Sequence, residues 1–200
     1  MNELASMLKA RRPDLVDGFP CKAVLKVLAT SGDRYFKLAY LNQILEPNSI
    51  EVAFTNKHEL HGGFHHVGLA AATTFIDGSI EVKVTPRFFK PNEIQPLIHA
   101  LRFQSLVAHE LVHRKQFKSK ELYAETFRSD EDITTVEYLN DHLELAAMGA
   151  EVAHDLRALS FLLDSEPREI SPRLKDLMSN AGLMSKESIK HFDRSVKRFY

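Results

Sequence analysis

The spacing of apolar residues predicts one long helix near the middle of the chain. Between residues 92 and 118, apolar residues recur three or four positions apart, and this spacing places side chains on one face of an α-helix. Pro96 suits the first turn of such a helix. The basic residues Arg114, Lys115 and Lys118 suit its C-terminal end, where the helix dipole favours positive charge. We therefore predict a helix over residues 92–118.

The segment before this helix has the alternation that is typical of β-strands. Apolar and polar residues alternate over residues 79–85, as expected where one face of a strand is buried. Asp77-Gly78 precedes this run and is a strong hairpin signal, since both central positions of a two-residue turn of this type need a positive φ. Residues 71–85 therefore predict two strands around this turn, and a run over residues 49–55 is a candidate third strand. We predict a small sheet, containing an antiparallel pair, beside the long helix.

The rest of the chain predicts helices joined by polar connections. An alanine-rich segment over residues 139–163 predicts a second long helix, with Asn140 or Asp141 as its N-cap. Residues 119–137, which join the two long helices, are polar and predict a loop, with a turn of helix as the alternative. We interpret residues 1–200 as one mostly helical α+β domain. Its parts are an N-terminal helical part (1–46), a core that carries the chemistry (47–164) and C-terminal helices (165–200) that begin near Ser171-Pro172 and Ser185.

Composition and charge exclude several classes of protein. Of the 200 residues, 44% are hydrophobic and 26% charged, which is the balance of a globular domain rather than a disordered or fibrous chain. The formal net charge of −1 gives no basis for bulk nucleic-acid binding. A single cysteine, Cys21, excludes an internal disulfide and a cysteine-rich zinc site. With no signal-peptide pattern and no apolar run of ~20 residues, we expect a cytoplasmic protein that does not enter the membrane.

One pentapeptide within the long helix carries a specific chemistry. His109-Glu110-Leu111-Val112-His113 has the form H-E-x-x-H, and histidines four residues apart lie on one face of a helix. Both imidazoles can therefore reach one metal ion, and zinc is the usual ion for such a pair. Glu110 points beside the metal rather than at it, so it is the candidate general base for a metal-activated water.

A catalytic zinc site usually has a third protein ligand. One known arrangement places a glycine and a further histidine after the motif, but the corresponding residues here are Gln116 and Ser119, which excludes it. Glu144 and Glu151 are seven residues apart on the second long helix, so both lie on nearly the same face. Spacing alone leaves either as the third ligand. Glu151 has a second interpretation, as a hydrogen-bond acceptor for a ligating histidine.

Further residues after the motif follow a family pattern: Gln116, then Tyr138, then Glu144-Leu145-Ala146-Ala147. Together with the H-E-x-x-H motif, they make residues 79–157 resemble the gluzincin branch of the zincin metallopeptidases. The chain is similar in particular to small zincin-like proteins of phages and bacteria. The resemblance implies a zincin-like fold and a Zn²⁺ cofactor. It implies Glu144 as the third zinc ligand, beside His109 and His113.

Peptide hydrolysis also needs a hydrogen-bond donor for the oxyanion. Candidates by residue type are Tyr138, Tyr123, His142 and His154. We predict Tyr138, which lies nearest the third-ligand helix, although a lone tyrosine is also a common packing residue. Four further histidines occupy a glycine-containing segment and predict an exposed loop, and His191 has no evident partner; the four are His58, His61, His65 and His66.

The leading hypothesis is a zinc metallopeptidase that hydrolyses a protein or peptide substrate with Glu110 as general base. An exposed edge of the predicted sheet would hold an extended peptide by strand pairing. One alternative is a zincin-fold binding protein with little activity, and Glu110 disfavours it because binding needs no base. The other alternative is a metallohydrolase that acts on a different amide or ester, since this chemistry needs the same metal and base.

Overall fold

The computed structural model describes residues 20–29, 32–55, 70–75, 77–89, 95–118, 134–163 and 177–199. Its helices and strands follow in the order α1 (Cys21–Ala29), α2 (Arg34–Leu45), β1 (Ile50–Phe54), β2 (Ala70–Thr74), β3 (Ile80–Val84), α3 (Gln95–Lys118), α4 (Thr135–Asn140), α5 (His142–Leu163) and α6 (Lys186–Phe199). Short 3₁₀ helices lie at Glu46–Asn48, Pro86–Phe89 and Ala181–Leu183. A mostly helical chain with one small sheet confirms the predicted α+β class.

The three-stranded sheet has the order β1–β3–β2, with β1 parallel and β2 antiparallel to β3. Ile80, Val82 and Val84 are buried, as the alternation along this strand predicts. They pack with apolar residues of α1, α2 and α3 in one core cluster. The long helix α3 also contacts β2 and β3 directly. The prediction of a small sheet beside the motif helix is therefore confirmed.

The turn between β2 and β3 differs from the predicted type. Among its described residues only Gly78 has a positive φ, of 85°. The amide of Gly78 donates to the carbonyl of Phe75 at 2.8 Å, and the carboxylate of Asp77 accepts from the amide of Ser79 at 2.8 Å. The side chain of Asp77 stabilises this longer turn, and its backbone stays out of the left-handed region. The prediction of a positive φ at both positions was therefore wrong.

The second long helix, α5, lies against both α3 and α6. Leu145 and Met148 of α5 belong to a second apolar cluster that it shares with α6. Gly149 allows the two backbones to approach closely, because a Cβ at this position would lie 2.5 Å from the Cβ of Ser195 and 3.0 Å from the backbone nitrogen of Val196. α5 is thus held between the motif helix and the C-terminal helix.

The prediction of a single helix over residues 139–163 is wrong at its start. The short helix α4 comes first, taking the last residues of the predicted loop, and the chain leaves the helical conformation at Asp141 (φ −73°, ψ 123°). Thr134 and Glu137 begin α4 with a capping box. The carboxylate of Asp141 then accepts from the amide of Leu143 at 2.7 Å and begins α5. Asp141 is therefore the N-cap of the long helix.

Two further helices, α2 and α6, begin after residues whose side chains cap them. α1 and α2 are separated before Asp33, whose carboxylate accepts from the amide of Tyr35 at 2.8 Å and caps α2. α6 begins after Ser185, as predicted, and the Ser185 hydroxyl accepts from the amide of Ser188. None of the described helices has the length and apolar character to cross a membrane. Several predictions lie outside the described residues: those for residues 1–19, His58, His61, His65, His66, Tyr123 and Ser171-Pro172.

Candidate metal centre

The two histidines of the motif lie on the face of α3 that meets α5. His109 is buried, with 3% of its surface exposed, and His113 is half-buried. Their Nε2 atoms are 3.0 Å apart, and the centroids of their rings are 4.8 Å apart. The four-residue spacing therefore brings both imidazoles to one point, as the helix geometry predicts.

Glu144 reaches the same point from the first turn of α5. Its Oε2 lies 3.5 Å from the Nε2 of His109, and its Oε1 lies 3.3 Å from the Nε2 of His113. The ligand atoms of these residues lie within 4.8 Å of one another, and no other group of three potential metal ligands does so in the described part of the chain. Two imidazoles and one carboxylate that converge in this way are a donor set of catalytic zinc sites. The residues therefore fit a zinc ion.

Glu151 lies at a different atom of the site. Its Oε2 is 3.2 Å from the Nδ1 of His109, on the ring nitrogen opposite the one that approaches His113 and Glu144. Only 5% of Glu151 is exposed. A carboxylate at Nδ1 keeps the proton on that nitrogen and leaves the Nε2 lone pair for a metal. The geometry favours Glu144 as the ligand and Glu151 as the hydrogen-bond acceptor.

Gln116 supports His113 in the same way, a role that sequence reasoning did not assign. Its Oε1 lies 2.8 Å from the Nδ1 of His113. Its amide nitrogen donates to the carbonyl of Leu143, the residue before Glu144, at 3.1 Å. The three-residue spacing from His113 is a signal that predicts contact on a helix surface, but the bond to α5 has no sequence signal. Gln116 thus connects one candidate ligand to the turn that carries another.

Opposite charges on the histidines and the glutamates stabilise the contacts between α3 and α5 at this centre. Burial lowers the pKa of His109, but its hydrogen bonds with Glu144 and Glu151, together with the negative charges of Glu110 and Glu144, outweigh burial and raise that pKa to about 10. Burial raises the pKa of Glu144, yet its contacts with His109 and His113 hold that pKa well below the usual range. Without a metal, the His109 ring is therefore protonated on both nitrogens and positively charged at neutral pH. A bound cation would take the place of this positive charge.

Glu110 lies on the side of α3 that faces the sheet, and only 5% of it is exposed. The hydroxyl of Thr74, the last residue of β2, lies 2.6 Å from the Oε2 of Glu110 and 3.0 Å from its carbonyl oxygen. A hydroxyl has one proton, so these two oxygens share a single donor. The contact holds the carboxylate of Glu110 against β2, one residue along the helix from His109.

The two edges of the described sheet differ in what lies beside them. At the β1 edge, the amide and carbonyl of Val52 bond with the side chain of Asn42, at 2.6 Å and 2.9 Å. At the other edge, β2 pairs with β3, and the amide of Phe75 donates to the carbonyl of Ser79 at 2.9 Å. Because paired and unpaired residues alternate in an antiparallel ladder, the backbone groups of Thr74 point away from β3. β2 is therefore an edge strand of the described sheet, and the contact of Thr74 with Glu110 places this edge beside the carboxylate.

The remaining candidates have contacts of other kinds. Tyr138 packs against the apolar cluster between α5 and α6. His154 is buried, and its Nδ1 lies 3.3 Å from the hydroxyl of Ser105, which donates to Asp155 at 2.5 Å. Ser105 of α3 thus contacts both His154 and Asp155 of α5 through buried polar groups. The roles of Tyr138 and His154 as oxyanion donors stay predictions.

Comparisons with known proteins assign no family to the chain. It matches no protein-family model, no curated protein and no solved structure. The interpretation of the site therefore rests on its geometry and chemistry.

Proposed function

We propose that the protein is a zinc-dependent metallopeptidase of the gluzincin type, acting on protein or peptide substrates. The observation that carries the proposal is the convergence of His109, His113 and Glu144 at one point. The buried carboxylate of Glu110 lies on the adjacent helix face. Two histidine ligands, a carboxylate ligand and a neighbouring base are the groups that metal-assisted hydrolysis needs. A zincin-like fold belongs to the same proposal, supported by the sheet beside the motif helix and by a ligand on the next long helix.

The metal ligands and their partners have distinct tasks in this proposal. His109, His113 and Glu144 would hold the zinc ion. When bound, zinc supplies Lewis-acid activation of the attacking water and of the scissile carbonyl. Glu151 and Gln116 would keep the Nε2 atoms of both rings directed inward, because each occupies the opposite nitrogen.

Glu110 would move the proton. Its carboxylate would accept a proton from the attacking water and deliver it to the leaving amine. The hydroxyl of Thr74 orients this carboxylate from the edge strand. An extended peptide that pairs with β2 would meet the outward backbone groups of Thr74 and so lie beside Glu110. A base held at a strand edge supports an active peptidase over a binding protein of the same fold.

The test is cleavage of a mixed peptide library, read by mass spectrometry, with zinc-loaded wild type and the Glu110→Gln variant. We expect the wild type to cleave, a chelator to stop cleavage and zinc to restore it. Because general base catalysis contributes about 100-fold or more, the variant should lose at least that much activity. Its zinc content should stay unchanged, since glutamine keeps the shape and an acceptor for Thr74.

The outcomes separate the alternatives. A zinc-loaded wild type that hydrolyses small amides or esters but cleaves no peptide would make the protein a different metallohydrolase. A zinc-loaded wild type that is inactive on all of these would favour a binding protein. Equal activity of wild type and Glu110→Gln would contradict the proposed base.

A further inference from the structure

The side chain of Asn140 joins the end of α4 to the segment that begins α6 through four hydrogen bonds. Its amide nitrogen donates to the carbonyls of Val136 and Leu183, at 2.7 Å and 2.9 Å. Its carbonyl oxygen accepts from the amide of Ser185 at 2.8 Å and from the hydroxyl of Ser188 at 2.7 Å. These bonds use both donors and both acceptor sites of a carboxamide. The orientation of Asn140 is therefore fixed from both helices.

Asn140 also begins the segment that carries Glu144, and we call residues 140–144 the ligand turn. The carboxylate of Asp141, the next residue, accepts from the amides of Leu143 and Glu144, at 2.7 Å and 3.4 Å. The carbonyl of Leu143 accepts a hydrogen bond from a side chain of α3 at 3.1 Å. The ligand turn is thus held by α3 at Leu143 and by the start of α6 at Asn140.

A second contact joins the ligand turn to α6. The ring of His142 lies against that of His191, with centroids 4.8 Å apart and ring planes that meet at 72°. Edge-to-face packing of this kind is favourable for aromatic rings. Among the residues that the structure describes, α6 supplies none of the converging metal ligands. Its connection with the metal centre therefore runs through the ligand turn.

We propose that Asn140 is a positioning residue of the metal centre, because it fixes the ligand turn against α6 and so determines where the carboxylate of Glu144 meets His109 and His113. The inference rests on the metal centre of the proposed function. Tetrahedral zinc holds its ligand atoms at about 2.0–2.2 Å, which places them about 3.3–3.6 Å from one another. The oxygens of Glu144 lie 3.5 Å and 3.3 Å from the Nε2 atoms of the two histidines. A range this narrow makes zinc affinity sensitive to displacements of the ligand turn that the rest of the fold tolerates.

The test compares zinc affinity with metal-free stability in wild type, Asn140→Ala and Ser185→Ala. Asn140→Ala removes all four hydrogen bonds of the side chain. Ser185→Ala is the matched control, because it removes the hydroxyl that accepts from the amide of Ser188 and caps α6, but leaves the backbone amide that donates to Asn140. Competition with a chromophoric chelator gives the zinc dissociation constant of the folded chain, and urea unfolding gives the stability without metal.

Both variants should lower the stability, but only Asn140→Ala should weaken zinc binding, by about tenfold, the lower end of the effect of groups that support a metal ligand. Asn140→Asp keeps the acceptor for Ser185 and Ser188 and loses the two donated bonds, so its affinity should lie between those of wild type and Asn140→Ala. It also provides the comparison if Asn140→Ala does not fold.

Two results overturn the positioning role and leave the metal centre intact. One is a wild-type zinc affinity in the folded Asn140 variants. The other is an equal loss of affinity in Ser185→Ala, because the effect would then follow from the stability of α6 alone. A wild-type chain that binds no zinc would instead overturn the metal centre itself, and the role of Asn140 with it.

Discussion

Replacing Glu151 tests the division of roles between the two carboxylates of α5. The Oε2 of Glu151 lies 3.2 Å from the Nδ1 of His109, and both side chains are buried. In Glu151→Gln, the amide oxygen still accepts the hydrogen bond, but the negative charge that strengthens His109 as a ligand is lost. In Glu151→Leu, a side chain of similar volume provides no acceptor.

The expected loss of zinc affinity follows from this geometry. Removing the hydrogen-bond partner of a ligating histidine lowers metal affinity by about 10- to 100-fold, which corresponds to about 1.4–2.7 kcal/mol. We expect Glu151→Gln near the lower end of this range and Glu151→Leu near the upper end. Glu144→Gln removes a ligand, so it should weaken binding more than either change at Glu151.

Competition with a chromophoric zinc chelator measures the dissociation constant of each variant. If Glu151→Gln no longer binds zinc while Glu144→Gln keeps the wild-type affinity, Glu151 is the third ligand and Glu144 is not. Wild-type affinity in Glu151→Leu would show that the contact with Nδ1 does not support His109.

Three further predictions concern packing, the base and pH. A Cβ in Gly149→Ala would lie 2.5 Å from the nearest atom of α6, so the free energy of unfolding in urea should fall by about 1–3 kcal/mol. Gly182→Ala, whose Cβ meets nothing within 4 Å, should change it little, and equal losses would contradict the close approach. Thr74→Val removes the donor to Glu110, so peptidase activity should fall at constant zinc content, and unchanged activity would separate Thr74 from the base. In metal-free protein the pKa of His109 rises from 6.5 to about 10, so its stabilising contribution is complete below pH 6.5 and is lost as pH rises towards 10. Urea unfolding across this range should show the loss without zinc, and a flat profile would contradict the shift.

Features that depend on neighbouring residues leave signals in the sequence. The spacing of His109 and His113 determines that both rings share a helix face, and the position of Asp141 before an apolar segment indicates an N-cap. The capping box of Thr134 and Glu137 is also a local signal. It marks the start of α4 more sharply than the polar composition, which predicted a loop or a turn of helix up to residue 137. Features of this kind need no knowledge of how distant elements pack.

The remaining features depend on how separate helices meet. Glu144 and Glu151 share one face of α5, so the choice between them depends on the position of α5 along α3 and not on spacing. The bond from Gln116 to the backbone of α5 and the contact between Ser105 and His154 join residues far apart in the sequence. Their partners become evident only when α3 and α5 are placed together.

The zinc content of the purified chain, measured by elemental analysis after zinc loading and gel filtration, tests the proposed metal centre most directly. We expect about one tightly held zinc ion per chain, as for a site with three protein ligands. His113→Ala and Glu144→Ala should lose this ion, while the control Gly182→Ala should retain it. A wild-type chain that retains no zinc, or a Glu144→Ala variant that retains as much as wild type, would contradict the assignment of His109, His113 and Glu144 as the metal centre.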